Sequence, residues 1–242
     1  MPFTFSHPAI VLPLKLLPKK WFSLTALVIG SLTPDFEYFL RMKVQSNFSH
    51  TILGVFWFDL PFGILLAFLF HNIVRNSLFE NLPLPLKSRL SRFNKFNWNR
   101  YFISNWHMAT ISFLLGAFSH IFWDSFTHEH GHFVEVIPEL SRTILFFGKE
   151  IPIFKLLQHS STLIGGFAII LTIFKITPDA TVARKMDVQY WLVLTTVMVG
   201  IILLRLLGGL EYRAYGHLIV TAISSLMISL ILTPMVLVRL RK

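Results

Sequence analysis

Histidines and an aspartate are concentrated in one short stretch of the sequence. Residues 119–132 read SHIFWDSFTHEHGH and hold four of the chain's ten histidines. His120 and Asp124 are four residues apart, so on a helix they project from one face, and His128 extends the same row by a turn. Imidazole nitrogen and carboxylate oxygen are donors that zinc and related divalent metals take. The spacing therefore predicts a metal site that includes these three residues.

The apolar run before this stretch is the reason to expect a metal there. A carboxylate such as Asp124, left uncompensated in an apolar bundle, costs about 2.5–3.5 kcal/mol, and a bound cation removes that cost. His128, His130 and His132 compete for the same side of the site, and Gly131 is expected to end any regular helix, so we select His128. The chain has no cysteine, so histidine, aspartate and glutamate must supply every ligand.

The composition is that of a membrane protein. Hydrophobic residues make up 54% of the 242-residue chain and charged residues 14%, against about 25% charged residues in soluble domains. The mean hydropathy is +0.62. A helix needs about 20 mostly apolar residues to cross a bilayer. Five runs are long enough, at residues 51–74, 101–123, 160–176, 189–207 and 216–238.

A sixth candidate, residues 21–40, is interrupted by Pro34, Asp35 and Glu37. It can be a span, a re-entrant helix or a helix buried inside the bundle. The sequence therefore predicts an all-α fold, a polytopic membrane helix bundle with five or six transmembrane helices. Because the loops between the spans are short, we expect a single domain over residues 1–242.

Basic residues indicate which ends of the spans face the cytoplasm. The formal net charge is +10, but the charges lie between spans instead of on one folded face, so no nucleic-acid partner is expected. The basic residues that lie between or after the spans are Arg75, Lys87, Arg89, Arg92, Lys95, Arg100, Arg184, Lys185, Arg239, Arg241 and Lys242. The positive-inside rule places these segments in the cytoplasm.

The N-terminus is the exception to this topology. Lys15, Lys19 and Lys20 would also favour the cytoplasm, which supports a crossing by residues 21–40. Basic residues also bind anionic headgroups, which would allow a re-entrant N-terminal hairpin on the outer face. Because these charges follow the apolar stretch, the segment does not have the order of a secretory signal and is expected to remain on the protein.

The predicted topology brings distant residues to one membrane face. His50 begins the 51–74 span, His120 lies near the end of the 101–123 span, and His159 begins the 160–176 span, so all three lie at the non-cytoplasmic face. Asp35 precedes His50 by only fifteen residues and is expected nearby. Local structural roles are expected for His71, His107 and His217, whereas Asp59, inside a span, can be functional or structural because Pro61 frees backbone groups there. Histidine and aspartate that converge at one depth form the arrangement that a metal site needs.

Four motifs carry a family resemblance: MPFTFSHPA at the start, GSLTPDFEYF at 30–39, SHT at 49–51 and GAFSHIFWDSFTH at 116–128. Together they resemble a domain-of-unknown-function family of multi-pass bacterial membrane proteins. The GxxSHxxxDxxTH core also resembles bacterial inner-membrane proteins named as membrane-bound metal-dependent hydrolases. The resemblance implies a multi-pass protein of the bacterial cytoplasmic membrane, with the lipid bilayer as its partner, and a hydrolase.

The order of candidate ligands is similar to that of the zinc-dependent phospholipase C family. On that resemblance, Asp35, His50, His120 and Asp124 form one site and His7 assists a neighbouring one. His128 or His132, together with His159, would contribute to another. The chain departs from the pattern at Leu163, where that family has a glutamate, and at Met1, where it uses a free amine. One divalent metal, with zinc as the expected ion, is therefore the prediction.

These resemblances imply a function. A bound divalent ion lowers the pKa of its water from 15.7 toward about 7 and polarises a phosphoryl or carbonyl oxygen. Asp35 or Glu37 would orient that water or act as general base. The substrate would be a phosphoester or a lipid-linked molecule. Two alternatives stay open: a non-enzymatic membrane protein that binds or carries metal, and histidines that only brace helices. The sequence leaves the oligomeric state open.

Overall fold

The computed structural model describes residues 3–18, 20–146, 148–182, 186–210 and 213–240. The chain is 77% helical with one small two-stranded sheet, which confirms the predicted all-α class. Five of the basic residues used to predict the topology lie outside the described residues: Lys19, Arg184, Lys185, Arg241 and Lys242.

Thirteen α-helices lie within the described residues. They are α1 (Pro8–Val11), α2 (Leu24–Gly30), α3 (Phe36–Arg41), α4 (Ile52–Gly54), α5 (Leu60–Leu69), α6 (Arg75–Asn81), α7 (Leu84–Leu90), α8 (Trp98–Thr127), α9 (His132–Val136), α10 (Pro138–Ser141), α11 (Ile153–Phe174), α12 (Val188–Leu207) and α13 (Tyr215–Leu240). Short 3₁₀ turns lie at Thr4–Ser6, Leu12–Leu16, Thr33–Asp35 and Ser91–Lys95. The strands β1 (Thr143–Phe146) and β2 (Lys149–Pro152) pair antiparallel, with Thr143 opposite Pro152.

Four helices are long and apolar enough to cross a membrane, as expected of a membrane protein. Two π-helical turns, Val55–Asp59 and Phe70–Val74, join α4, α5 and α6 into one continuous helix, Ile52–Asn81. This helix, α11, α12 and α13 correspond to four of the five predicted spans. The fifth prediction, residues 101–123, lies within the 30-residue α8, which is not among these four helices.

Residues 21–40 do not form one helix. Ser23 caps α2 by accepting a hydrogen bond from the Ala26 amide, and α2 ends at Gly30. The chain then turns through the 3₁₀ segment Thr33–Asp35 before α3 begins. Neither α2 nor α3 is long enough to span a bilayer. Asp35, the last residue of this turn, is fully buried.

The chain divides into two compact units. The first consists of Met1–Asp35, Phe48–Ile64 and Asn105–Thr172, and the second of Phe36–Asn47, Leu65–Ser104 and Ile173–Lys242. Helix α8 passes from one unit to the other at Asn105, where φ −135° and ψ 29° depart from helical values. The single domain over residues 1–242 stays a prediction.

In the first unit, α2 and α8 approach each other at two glycines. A Cβ atom on Gly116 would lie 2.5 Å from the Leu27 carbonyl oxygen and 2.6 Å from the Ser31 amide nitrogen. A Cβ on Gly30 would collide with the backbone of Phe113. The amide of Ser23 also donates to the Ser112 hydroxyl at 2.9 Å. The two helices can therefore pack this closely only because neither glycine carries a side chain.

In the second unit, Arg75 is buried and holds the segment before α8. Its guanidinium donates hydrogen bonds to the backbone carbonyls of Asn94 and Phe96 at 2.9 and 2.7 Å. It also donates to Nδ1 of His71 at 2.7 Å. In the same unit, Nδ1 of His217 accepts a hydrogen bond from the Val44 amide at 3.0 Å. These contacts fit the local structural roles expected for His71 and His217.

We expect Gly116→Val to force α2 and α8 apart. Overpacking of this kind costs about 1–3 kcal/mol, and here the colliding atoms are backbone. The measurement is thermal unfolding in detergent, followed by circular dichroism. Gly166→Val is the matched control, since a Cβ there meets nothing within 4 Å. Equal melting temperatures for the two variants would contradict the close packing of α2 on α8.

Candidate metal centre

Four residues from three separate segments of the first unit converge on one point. His120 and Asp124 lie one turn apart on α8. Asp35 ends the 3₁₀ turn Thr33–Asp35, and His50 lies just before the helix that begins at Ile52. One ligand atom from each residue lies within 4.8 Å of the other three, so the cluster could hold a metal ion. The structure thus brings together the four residues for which the sequence predicts a shared site.

Four of the six distances between these atoms can be compared with those around a tetrahedral ion. Nε2 of His120 lies 3.6 Å from Oδ1 of Asp35 and 3.3 Å from Oδ2 of Asp124. Nε2 of His50 lies 3.5 Å and 3.7 Å from the same two oxygens. A tetrahedron with metal–ligand bonds of about 2.1 Å has edges of about 3.4 Å. All four distances are close to that edge length.

Hydrogen bonds on the far side of each ring turn Nε2 toward the centre. Nδ1 of His120 lies 2.8 Å from the Ser31 carbonyl oxygen, which can only accept, so Nδ1 carries the hydrogen. The Ser49 hydroxyl donates to the Pro34 carbonyl at 2.6 Å and therefore accepts from Nδ1 of His50 at 3.2 Å. Both Nε2 atoms are left with a lone pair directed at the cluster, as a metal-binding histidine requires.

Asp35 is fixed in a similar way, because its Oδ2 accepts a hydrogen bond from the Thr4 hydroxyl. The atoms that face the centre are buried and have no hydrogen-bond partner among the described residues: Oδ1 of Asp35, Nε2 of His120 and Oδ2 of Asp124. A buried polar atom left without a partner costs about 1–3 kcal/mol, and more when it is charged. One cation would satisfy all three atoms together.

The charges of the cluster also favour a cation. Two carboxylates face two imidazoles, so with neutral rings the cluster carries two negative charges. Burial opposes a charge on His50, but its contacts with Asp124 and Asp35 outweigh burial and raise its pKa above the ordinary value. A proton on Nε2 of His50 would thus compete with a metal ion for the position beside the two carboxylates.

His7 and His128 contact the outer oxygen of Asp124. Nε2 of His7 lies 3.2 Å from Oδ1 of Asp124, and its ring stacks on His120 with centroids 3.7 Å apart. Nδ1 of His128 lies 3.6 Å from the same Oδ1 and 3.0 Å from the Asp124 carbonyl oxygen. Burial lowers the pKa of His128 despite the nearby carboxylate. Both residues therefore adjoin the four-atom cluster without belonging to it.

The other predicted site residues lie elsewhere. His159 is exposed on α11 and is not one of the four residues of the cluster. Glu37 belongs to the second unit, where its carboxylate accepts hydrogen bonds from Arg41 at 2.9 Å, Ser46 at 3.0 Å and the Asn47 amide at 2.9 Å. That arrangement ties Glu37 to its own loop, and its role as a general base stays a prediction.

Three supporting groups were missed in the sequence: the Thr4 hydroxyl, the Ser31 carbonyl and the Ser49 hydroxyl. The signal for Ser49 was its place directly before His50, since a hydroxyl there can reach the ring. Thr4 lies three residues before His7 in the first motif. Nothing in the sequence marks the Ser31 carbonyl, because any residue carries one.

Comparison with known proteins confirms the predicted family. A family model described as a domain of unknown function, DUF4184, matches residues 1–235. Neither the curated proteins nor the solved structures gave a match to the chain. The matched range contains all four residues of the candidate centre. The chain belongs to the DUF4184 family.

Proposed function

We propose that this protein is a membrane-bound metal-dependent hydrolase that acts on a phosphoester or a lipid-linked substrate at the non-cytoplasmic face. The observation that carries the proposal is the cluster of Asp35, His50, His120 and Asp124, whose four ligand atoms lie within 4.8 Å of one another. Four helices that are long and apolar enough to cross a membrane support the membrane-bound part of the proposal. The resemblance of the GxxSHxxxDxxTH core to named hydrolases supports the reaction class.

The donor set fits zinc among the divalent metals. Two imidazole nitrogens and two carboxylate oxygens suit an ion of intermediate softness, and zinc takes both kinds of ligand. Zinc is usually four-coordinate and tetrahedral in proteins, which agrees with edges of 3.3–3.7 Å. The hydrogen bonds that fix both rings supply the outer shell that such sites require.

Access to the centre is from the side of His50. Its side chain is 23% exposed, against 0% for His120 and 8% for Asp124. When bound, a divalent ion would activate a water molecule and polarise the scissile phosphoryl or carbonyl group. Oδ1 of Asp35 faces the centre as a ligand atom while Oδ2 is held by Thr4, so the orienting of that water by Asp35 stays a prediction. Water and small anions would therefore reach the centre past the His50 ring.

One observation favours a second candidate function. Four protein ligands complete a tetrahedron, which is typical of structural zinc sites, whereas catalytic sites usually keep one position open. A non-enzymatic membrane protein that binds metal at this centre, bracing its three chain segments, would show the same geometry. The hydrolase requires either a fifth position or a ligand that gives way, and His50 is the most exposed of the four.

We expect the purified protein to bind about one divalent ion per chain. His120→Ala and Asp124→Ala should each reduce the metal content to near zero, because each removes one of the four ligands. His107→Ala is the matched control, since His107 is an exposed histidine on the same helix. Elemental analysis after metal-supplemented purification measures the content. A parent protein that holds far less than one equivalent would remove the basis of the proposal.

We expect Ser49→Ala to weaken metal binding without removing a ligand. The substitution deletes the acceptor that fixes the His50 ring, and loss of an outer-shell partner costs about 10–100-fold in affinity. Competition with a fluorescent chelator measures the dissociation constant. Ser125→Ala is the control, because that hydroxyl donates to the Phe122 carbonyl on its own helix. An unchanged constant for Ser49→Ala would contradict the orienting role.

Hydrolysis and coordination separate the two candidate functions. A hydrolase should cleave a chromogenic phosphodiester in a metal-dependent reaction that Asp124→Ala abolishes and His107→Ala preserves. With Co²⁺ in the centre, azide should alter the visible absorption, because an anion can enter the open position. Stoichiometric metal with no hydrolysis, and a spectrum that azide leaves unchanged, would favour the non-enzymatic protein.

A further inference from the structure

A cavity of about 360 Å³ lies in the first unit beside the candidate metal centre. Its volume is within the range of small-molecule sites, about 300–1,000 Å³. The N-terminal segment, α8 and α11 form its walls, and most of the lining is apolar. The lining includes His7, Trp123, Leu157, Ile164 and Ala168.

The cavity and the metal centre share a residue. His7 lines the cavity, and the same ring stacks on His120 and contacts Oδ1 of Asp124. Trp123, which also lines it, directly precedes Asp124 in α8. A molecule that fills the cavity would thus contact His7, which itself contacts the cluster that would hold the metal.

One wall of the cavity lies on a candidate membrane span, α11. From Leu157 to Ala168 the lining follows α11 for roughly 16 Å along the helix axis. Only 11% of the apolar stretch of α11 is buried, and Ile164, in the cavity wall, is 69% exposed. The cavity therefore opens sideways on the surface that would face lipid tails.

The lining suits an alkyl chain better than a peptide. Two of its hydroxyls are already committed, because Ser6 donates to the Phe3 carbonyl at 2.7 Å and Ser161 donates to the Gln158 carbonyl at 3.0 Å. An extended peptide would bury amide groups that need partners, whereas an alkyl chain needs only apolar contact. The polar ring of His7 and the apolar side chains of α11 in the lining match the two parts of an amphiphile.

We propose that this cavity holds one alkyl chain of a phosphate-bearing lipid, with the phosphate directed past His7 toward the metal centre. The inference rests on the proposed hydrolase and names its substrate class as a lipid phosphoester. The chain would enter from the bilayer beside α11, and His7 would separate the apolar subsite from the reacting group.

The test uses the full-length protein in detergent and hexadecyl phosphate with a photoreactive diazirine on the alkyl chain. Labelling should concentrate on cavity residues such as Leu157 and Ile164. Ala168→Phe fills the cavity and should lower labelling there at least about tenfold, since several methylene contacts are lost. Ile170→Phe, an exposed position on the same helix and outside the lining, is the matched control and should label like the parent.

Metal content is measured on every variant, because it separates this inference from the proposed function. Ala168→Phe with unchanged metal content and undiminished labelling would overturn the cavity assignment and leave the metal centre intact. Labelling spread evenly over Leu163, Phe167 and Ile170 would also overturn it, since these exposed residues are outside the lining. A parent protein without metal would instead contradict the proposed hydrolase, and with it the placement of the lipid phosphate at the metal centre. If Ala168→Phe does not fold, Ile164→Trp blocks the cavity from its exposed side.

Discussion

Two buried carboxylates, Asp35 and Asp124, impose the constraint on which the first unit depends. Each is almost wholly excluded from solvent, and each directs one oxygen at a point shared with His50 and His120. Carboxylates this close repel each other and lose their hydration, so the site is stable only when something positive lies between them. Thr4 and His7 hold the outer oxygens, and they leave the inner pair for a cation.

The packing of α2 on α8 gives this centre its geometry. Gly30 and Gly116 allow the two backbones to meet, and the meeting brings the Ser31 carbonyl to the ring of His120, one turn beyond Gly116. The break after α2 then turns the chain so that Asp35 faces the same point. The glycines of the GSLTPD and GAFSH motifs are not ligands themselves. They affect the ligand positions by allowing α2 and α8 to approach closely.

A site of this kind joins two environments. The ligand cluster is polar and closed, with His50 as its most exposed member, while the adjoining cavity is apolar and bounded by a helix that fits a membrane span. His7 lies at the junction, with its ring on His120 and its edge in the cavity. The proposed lipid substrate depends on the cavity and the ligand cluster lying side by side, and neither the cavity nor the cluster alone would indicate a lipid phosphoester.

Helical class, the apolar helices and the pairing of His120 with Asp124 follow from the sequence by itself, because apolar run length and a four-residue spacing are local properties. The motif around Asp35 and His50 also marked them as ligands. The tertiary structure alone decided that residues 21–40 break into α2 and α3, that His128 and His7 adjoin the cluster from outside it, and that Glu37 is held within its own loop. It also supplied Ser31, whose carbonyl has no sequence signature. The physical reason is that ligand geometry depends on how closely backbones pack and where chain turns direct each side chain, and these distances are set by contacts between residues far apart in the chain.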